Sequence, residues 1–168
     1  MTVADLAIDG FDRIQEVVHE AVDGLTEDQL TERLEPGANS IAWLVWHLTR
    51  VQDDHVADLA GTPQVWTEQG WHERFALPFR PGATGYGHRA KDVAAVRADA
   101  KLLTGYHDAV HDQTVSWLGA LRETELDQVV DEAWDPPVTL GVRLVSILSD
   151  DLQHAGQAAY VRGILERR

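Results

Sequence analysis

Four long segments of the chain repeat apolar residues at intervals of three and four, which is the period of an amphipathic helix. They run from about 4 to 22, from 41 to 60, from 91 to 121, and from just after Asp135-Pro136-Pro137 to about 165. Ser40 is placed to cap the second helix, and Gly61-Thr62-Pro63 ends it. Strand signals are weak throughout. The sequence therefore predicts an all-α four-helix bundle.

The connection between the second and third helices, from about 61 to 90, is the one long irregular segment. Connections of this length in compact domains are usually functional or disordered. This one is too rich in aromatic and imidazole side chains for a disordered linker; they are Trp66, Trp71, His72, Phe75, Phe79, Tyr86 and His88. We predict an ordered crossover that covers one end of the bundle, with the second and third helices parallel. All 168 residues are expected to form one domain.

Composition narrows the possible functions. The chain has no cysteine, so a disulfide, a thiolate metal site and a cysteine nucleophile are all excluded, and any thiol chemistry needs a thiol from outside. With 14 Lys and Arg against 28 Asp and Glu, the formal charge of −14 argues against nucleic acid as a partner. The acidic N-terminus does not resemble a signal peptide, and no apolar run reaches the ~20 residues of a membrane span. We expect a cytoplasmic protein that does not bind a membrane.

Polar residues on the buried helix faces indicate where chemistry could occur. His47 lies beside Leu44 and Leu48 on the second helix, and Asp150 and His154 are one turn apart on the last. Two imidazoles and a carboxylate from two facing helices would supply the three ligands of an open, zinc-like site. The alternatives are a hydrogen-bonded core histidine and an ordinary Asp–His surface pair, with Asp151 as a substitute ligand.

A competing pair, His107 and His111, has the HxxxH spacing of many helical metal sites. Asp108 stands where a zinc protease would carry glutamate, which weakens this reading. His107 is a better candidate for a pocket residue. Arg143, on the last helix, is a candidate for binding an anionic group, with a solvated arginine as the alternative.

The order of these residues resembles the DinB/YfiT-like superfamily of metalloenzymes. The resemblance covers nearly the whole chain and is carried by Pro36-Gly37, Ser40-Ile41-Ala42-Trp43-Leu44-Val45-Trp46-His47-Leu48, Gly85-Tyr86-Gly87-His88 and Asp150-x-x-x-His154-x-Gly156-Gln157. It looks closest to the branch that contains mycothiol-dependent maleylpyruvate isomerase and the mycothiol S-transferases. Many superfamily members have histidine at the position of Asp150, whereas a carboxylate is expected in the isomerase branch.

The resemblance implies a divalent metal, expected to be zinc, held by His47, Asp150 and His154 as the catalytic centre. It implies a detoxifying transferase that activates mycothiol as a metal-bound thiolate for attack on an electrophile. Contacts to the thiol or the substrate are expected from Arg143, His107, His88 and Tyr86. Helical bundles of this kind often pair through an exposed helix face, so a homodimer is possible, but the sequence does not determine the oligomeric state. Two other functions remain open. One is a metal-dependent hydrolase, and the other is a non-catalytic metal- or ligand-binding stress-response module.

Overall fold

A computed structural model describes residues 1–168. The protein consists mainly of four long helices, which confirms the predicted all-α fold. The helices are α1 (Val3–Val22), α2 (Glu27–Thr31), α3 (Ile41–Ala60), α4 (Val65–Glu68), α5 (Trp71–Phe75), α6 (Ala90–Ala95), α7 (Ala100–Ala120) and α8 (Leu140–Leu165). A 3-10 turn (Glu123–Glu125) and two short strands, β1 (Val129–Asp131) and β2 (Val138–Thr139), lie between α7 and α8. No helix is long and apolar enough to span a membrane.

The long helices are arranged so that α1 and α3 each pack against both α7 and α8. Arg50 of α3 donates to Tyr106 of α7, and Gln52 donates to Thr114 further along both helices. Because the contacts advance in the same direction along the two helices, α3 and α7 are parallel. The parallel arrangement predicted from the long crossover is therefore present.

Helix α3 is buried around almost its whole circumference from Ile41 to Arg50. The side-chain oxygen of Ser40 accepts from the backbone N–H of Trp43 and caps its start. Gly61, in the left-handed conformation at φ 65°, ends it. Such complete burial arises because α3 lies between its neighbouring helices and the crossover, which places His47 beneath that crossover.

The crossover from Gly61 to Ala90 is ordered, as predicted, and contains α4 and α5. Its apolar side chains are part of the main core, among them Trp66, Phe75 and Leu77. Burial of three large apolar side chains stabilises the segment by several kcal/mol, at about 1.5–3 kcal/mol for each. The crossover thus forms a fixed wall on α3.

One prediction about secondary structure was wrong. The third helix does not run without interruption from 91, because α6 ends at Ala95 and α7 begins at Ala100, with the Asp99 carboxylate accepting from the N–H of Leu102. Val96 and Ala98 enter the core between the two helices. The β1–β2 hairpin was not predicted, because its strands are too short to produce a recognisable alternation of apolar residues.

Candidate metal centre

Three side chains from two helices converge at the surface between α3 and α8. They are His47 of α3 and Asp150 and His154 of α8, and one ligand atom from each lies within 4.8 Å of the others. The two imidazole centroids are 4.8 Å apart, and Nε2 of His154 is 3.7 Å from Oδ1 of Asp150. The structure thus brings together the three residues that the sequence pattern singled out as candidate ligands.

His47 is held in one orientation by the crossover. Its Nδ1 lies 2.5 Å from the carbonyl oxygen of Thr84, which can only accept, so Nδ1 carries the proton and Nε2 keeps its lone pair. The indole of Trp43 stacks on the ring with a centroid separation of 4.5 Å. Burial lowers the pKa of His47 and favours the neutral ring. A neutral imidazole with a free Nε2 is the form that binds a metal.

His154 is oriented from within its own helix. Its Nδ1 is 3.1 Å from the side-chain oxygen of Gln157, one turn later, so the ring donates there and its Nε2 is free. This nitrogen is the one that faces Asp150. Both histidines therefore offer Nε2 as the ligand atom, and in each case the orienting bond is made through Nδ1.

Asp150 carries an unsatisfied atom. Its Oδ2 is buried and has no hydrogen-bond partner, although buried carboxylate oxygens normally have one. A cation shared with the two free imidazole nitrogens would satisfy that oxygen. Two neutral imidazoles and one carboxylate form a ligand set known from catalytic zinc sites, which keep a fourth position open. The donors present therefore fit a divalent ion.

The substitute ligand, Asp151, is not part of this group. It is fully buried, and neither of its carboxylate oxygens has a hydrogen-bond partner. Burial, with a smaller contribution from Asp150, raises the pKa of Asp151 well above its usual value. A side chain turned into the core does not complete a closed four-ligand site with His47, Asp150 and His154.

A glycine lets the crossover approach His47. Gly85 has φ +99°, and a methyl group at its Cα would lie 2.6 Å from Nδ1 of His47 and 3.1 Å from the ring of Trp46. Any larger residue would displace the backbone that carries the Thr84 carbonyl. Gly85 belongs to the Gly85-Tyr86-Gly87-His88 segment of the resemblance, but its close approach to His47 leaves no signal in the sequence.

Beside the ligand group is a cavity of about 390 Å³ that opens to solvent. It is lined by His47, Val51, Asp54, His55, Thr84, Tyr86, Ser146, Ile147 and Asp150. The open side of the ligand group therefore faces a space that a small molecule can enter.

Of the other predicted binding residues, two lie close to this cavity. Tyr86 lines its mouth, and the residue is 93% exposed. Arg143 contacts His55, with Nη1 3.2 Å from Nδ1 of that histidine and Nη2 2.8 Å from Asp131. His55 itself lines the cavity and was given no role from the sequence, since its position eight residues after His47 shows no local pattern.

The remaining two candidates lie further from the cavity. His88 accepts a hydrogen bond from the Trp43 indole at 3.2 Å and packs against Trp46 and Phe79, so it supports the ring that stacks on His47. His107 is fully buried in the core with neither ring nitrogen hydrogen-bonded, and burial lowers its pKa to about 3. The HxxxH pair does not converge, because His111 pairs instead with Asp12 of α1 at 2.8 Å.

Sequence reasoning missed a buried ionic network next to the site. Arg50, one turn after His47, is fully buried and donates to Ala83, Gln64, Tyr106 and Asp53 at 2.8 to 3.2 Å. Asp53 also accepts from Tyr106 and from the backbone N–H groups of Val65 and Trp66. The network joins α3, α7 and both ends of the crossover. Ala83 precedes the carbonyl that orients His47.

The fold and this ligand group define a class: a helical bundle with a candidate three-ligand metal centre, open to a cavity. A family model described as mycothiol S-transferase matches residues 8–167, and the chain belongs to that family. The crystal structure of a conserved protein from Enterococcus faecalis superposes with a TM-score of 0.93 at 33% identity, covering 100% of this chain and 99% of the other. No curated protein matches the sequence.

Proposed function

We propose that the protein is a metal-dependent thiol S-transferase that conjugates mycothiol to an electrophilic small molecule. The observation that carries the proposal is the convergence of His47, Asp150 and His154 on a solvent-accessible cavity. The family of the chain supports mycothiol as the thiol. The absence of cysteine is consistent with a thiol supplied from outside the chain.

The three ligands would hold a divalent ion, most simply zinc, with one coordination position left open. When bound, such an ion would lower the pKa of a thiol at that position, so that the nucleophilic thiolate predominates near neutral pH. Because both imidazoles are neutral and only Asp150 contributes a negative charge, the ligand set leaves the ion with a net positive charge. That charge favours thiolate binding.

The chain's own residues orient the reactants. Thr84 and Gln157 hold the two imidazoles through Nδ1 and leave Nε2 available for an ion, which would bind the thiol beside the cavity. The cavity then places the electrophile next to the sulfur. A carbon–sulfur bond forms, the bond between that carbon and its leaving group breaks, and the thiol proton leaves to solvent through the open mouth.

The test combines metal analysis with a conjugation assay on the purified protein. We expect about one zinc ion per chain in the wild type and little in His47→Ala or His154→Ala. The matched control is His111→Ala, which removes a histidine of the rival HxxxH pair and should retain the metal. With mycothiol and a reactive haloarene, the wild type and the control should form the S-conjugate, whereas the two ligand variants should not.

Three outcomes distinguish the alternatives. Protein that binds no zinc, or that loses zinc only in His111→Ala, would overturn the proposed site. Zinc binding with substrate consumption that does not require mycothiol would indicate a metal-dependent hydrolase. Zinc binding without turnover of any substrate would favour a non-catalytic module.

A further inference from the structure

The cavity next to the ligand group contains carboxylates but no cationic side chain. Asp54 and Asp150 line it, and no lysine or arginine is among the lining residues. Asp54 also accepts a hydrogen bond from the Gln64 side chain at 2.7 Å, which holds the carboxylate in place. The whole chain carries a formal charge of −14, so the surroundings add to the negative potential.

Arg143, which contacts the lining residue His55, is already paired with a carboxylate. Nη2 of Arg143 is 2.8 Å from Asp131, and its side chain is only 20% exposed. Nη1 is 3.2 Å from Nδ1 of His55. Arg143 lines an adjoining cavity that shares Asp54 and His55 with this one. Its charge is balanced by the Asp131 carboxylate, and its other contact is to His55.

The contact with Arg143 also determines the tautomer of His55. Arg143 can only donate, so Nδ1 of His55 must accept, and the proton of the neutral ring lies on Nε2. Burial, followed by the charge of Arg143, lowers the pKa of His55 and keeps this ring neutral. His55 thus offers the cavity an uncharged N–H donor, suited to a carbonyl, nitro or ether oxygen.

The charges around the proposed metal ion also disfavour an anionic substrate. The two positive charges of a divalent ion are matched by Asp150 and by a bound thiolate. Asp54 then leaves an unbalanced negative charge in a partly enclosed space, where electrostatic interactions are stronger than in water. An electrophile with a carboxylate would meet this charge without a cationic partner.

We infer that the electrophile is an uncharged or cationic molecule with a polar acceptor atom, and that the cavity discriminates against organic anions. This inference rests on the proposed function and specifies its substrate class. Asp54 supplies the repulsion, and the Nε2–H of His55 supplies the polar contact.

The test uses two electrophiles that differ mainly in charge, 4-chloro-3-nitrobenzamide and 4-chloro-3-nitrobenzoate, with zinc-loaded protein and mycothiol. Each kcat/KM is divided by the uncatalysed rate constant of the same compound, which corrects for intrinsic reactivity. We expect the amide to be favoured by about tenfold or more. Asp54→Asn should narrow that preference. Asp58→Asn, one turn further on an exposed position outside this cavity, should leave it unchanged.

A binding measurement keeps the inference testable if turnover is absent. The unreactive analogues 4-methyl-3-nitrobenzamide and 4-methyl-3-nitrobenzoate would be titrated by protein-observed NMR, with metal-free protein and with zinc-loaded protein saturated with mycothiol. Preferential binding of the amide, weakened in His55→Phe, would support the inference. Equal corrected turnover of the two electrophiles would overturn it and leave the S-transferase proposal intact. Tighter binding of the carboxylate would overturn it as well.

Discussion

At the scale of single residues, the two histidines of the ligand group are oriented by different kinds of partner. Gln157 holds His154 from the next turn of the same helix, so that orientation is local to α8. The partner of His47 is a backbone carbonyl on the crossover, 37 residues away. The geometry of His47 therefore depends on how closely the crossover approaches α3, whereas that of His154 does not.

Gly85→Ala should reduce zinc affinity by about 10- to 100-fold, the usual effect of disturbing a partner that orients a metal ligand. A methyl group there would lie 2.6 Å from Nδ1 of His47 and force the crossover outward. Gly87→Ala is the matched control, because it has φ +75° but nothing within 4 Å of a new Cβ. Competition with a chromophoric chelator measures both affinities, and equal losses would refute the steric explanation.

His107 should make the protein sensitive to acid. In the fold, burial lowers its pKa to about 3 from an ordinary 6.5, and the neighbouring groups Asp108, His111 and His19 act weakly by comparison. The unfolded chain therefore binds the proton first as the pH falls. This contribution to stability is complete above about pH 6.5 and is lost between there and pH 3, by about 2 kcal/mol at pH 5.

Urea unfolding of metal-free protein at about pH 8 and pH 5 tests this pH dependence. The difference in the free energy of unfolding between the two pH values should shrink in His107→Gln, which cannot be protonated. It should persist in His111→Gln, which leaves the buried imidazole in place. An unchanged difference in His107→Gln would show that other groups cause the acid sensitivity.

At the scale of elements, the crossover is tied to the helices by charge as well as by apolar packing. The side chains of Arg50 and Asp53 are 0% and 1% exposed, and every partner needed to stabilise this buried ion pair is supplied by α3, α7 or the crossover. The same segment carries Thr84 and Gly85 to His47. The site is therefore positioned from both sides, with α8 on one and the anchored crossover on the other.

Arg50→Met should lower the free energy of unfolding by about 3–5 kcal/mol, because it leaves the Asp53 carboxylate buried without its cation. Arg13→Met breaks an exposed pair with Asp9 at 2.7 Å and should cost less than about 1 kcal/mol. Urea denaturation measures both. Hydrogen exchange should also show faster exchange of the Val65 and Trp66 amides in Arg50→Met only. Similar losses in the two variants would mean that the network contributes little.

At the scale of the whole molecule, the sequence predicted those parts of the structure that depend on the pattern of apolar and aromatic residues along the chain. The four helical segments follow from which residues share a helix face, and the ordered crossover follows from its aromatic content. Spacing alone left the grouping of His47, Asp150 and His154 open, and the resemblance to a metalloenzyme superfamily favoured it. Arg50 was not recognised, because its partners lie up to 56 residues away and a lone arginine in a helix normally reaches solvent. The role of the Thr84 carbonyl could not be predicted either, because a backbone acceptor leaves no signal in the sequence.

The ligand group also makes a prediction about the folding of the entire chain. Because its members come from α3 and α8, an ion bound there would join two helices about a hundred positions apart in the sequence, and the unfolded chain would not present this site. Zinc at about 100 times its dissociation constant should therefore raise the free energy of unfolding by about 2.7 kcal/mol.

His154→Ala and Asp150→Asn should abolish the increase, and His111→Ala should preserve it. An equal increase in every variant would mean that zinc binds elsewhere, for example between His19 and Asp108, which lie 2.7 Å apart. The effect of zinc on stability therefore tests the site independently of any catalytic assay.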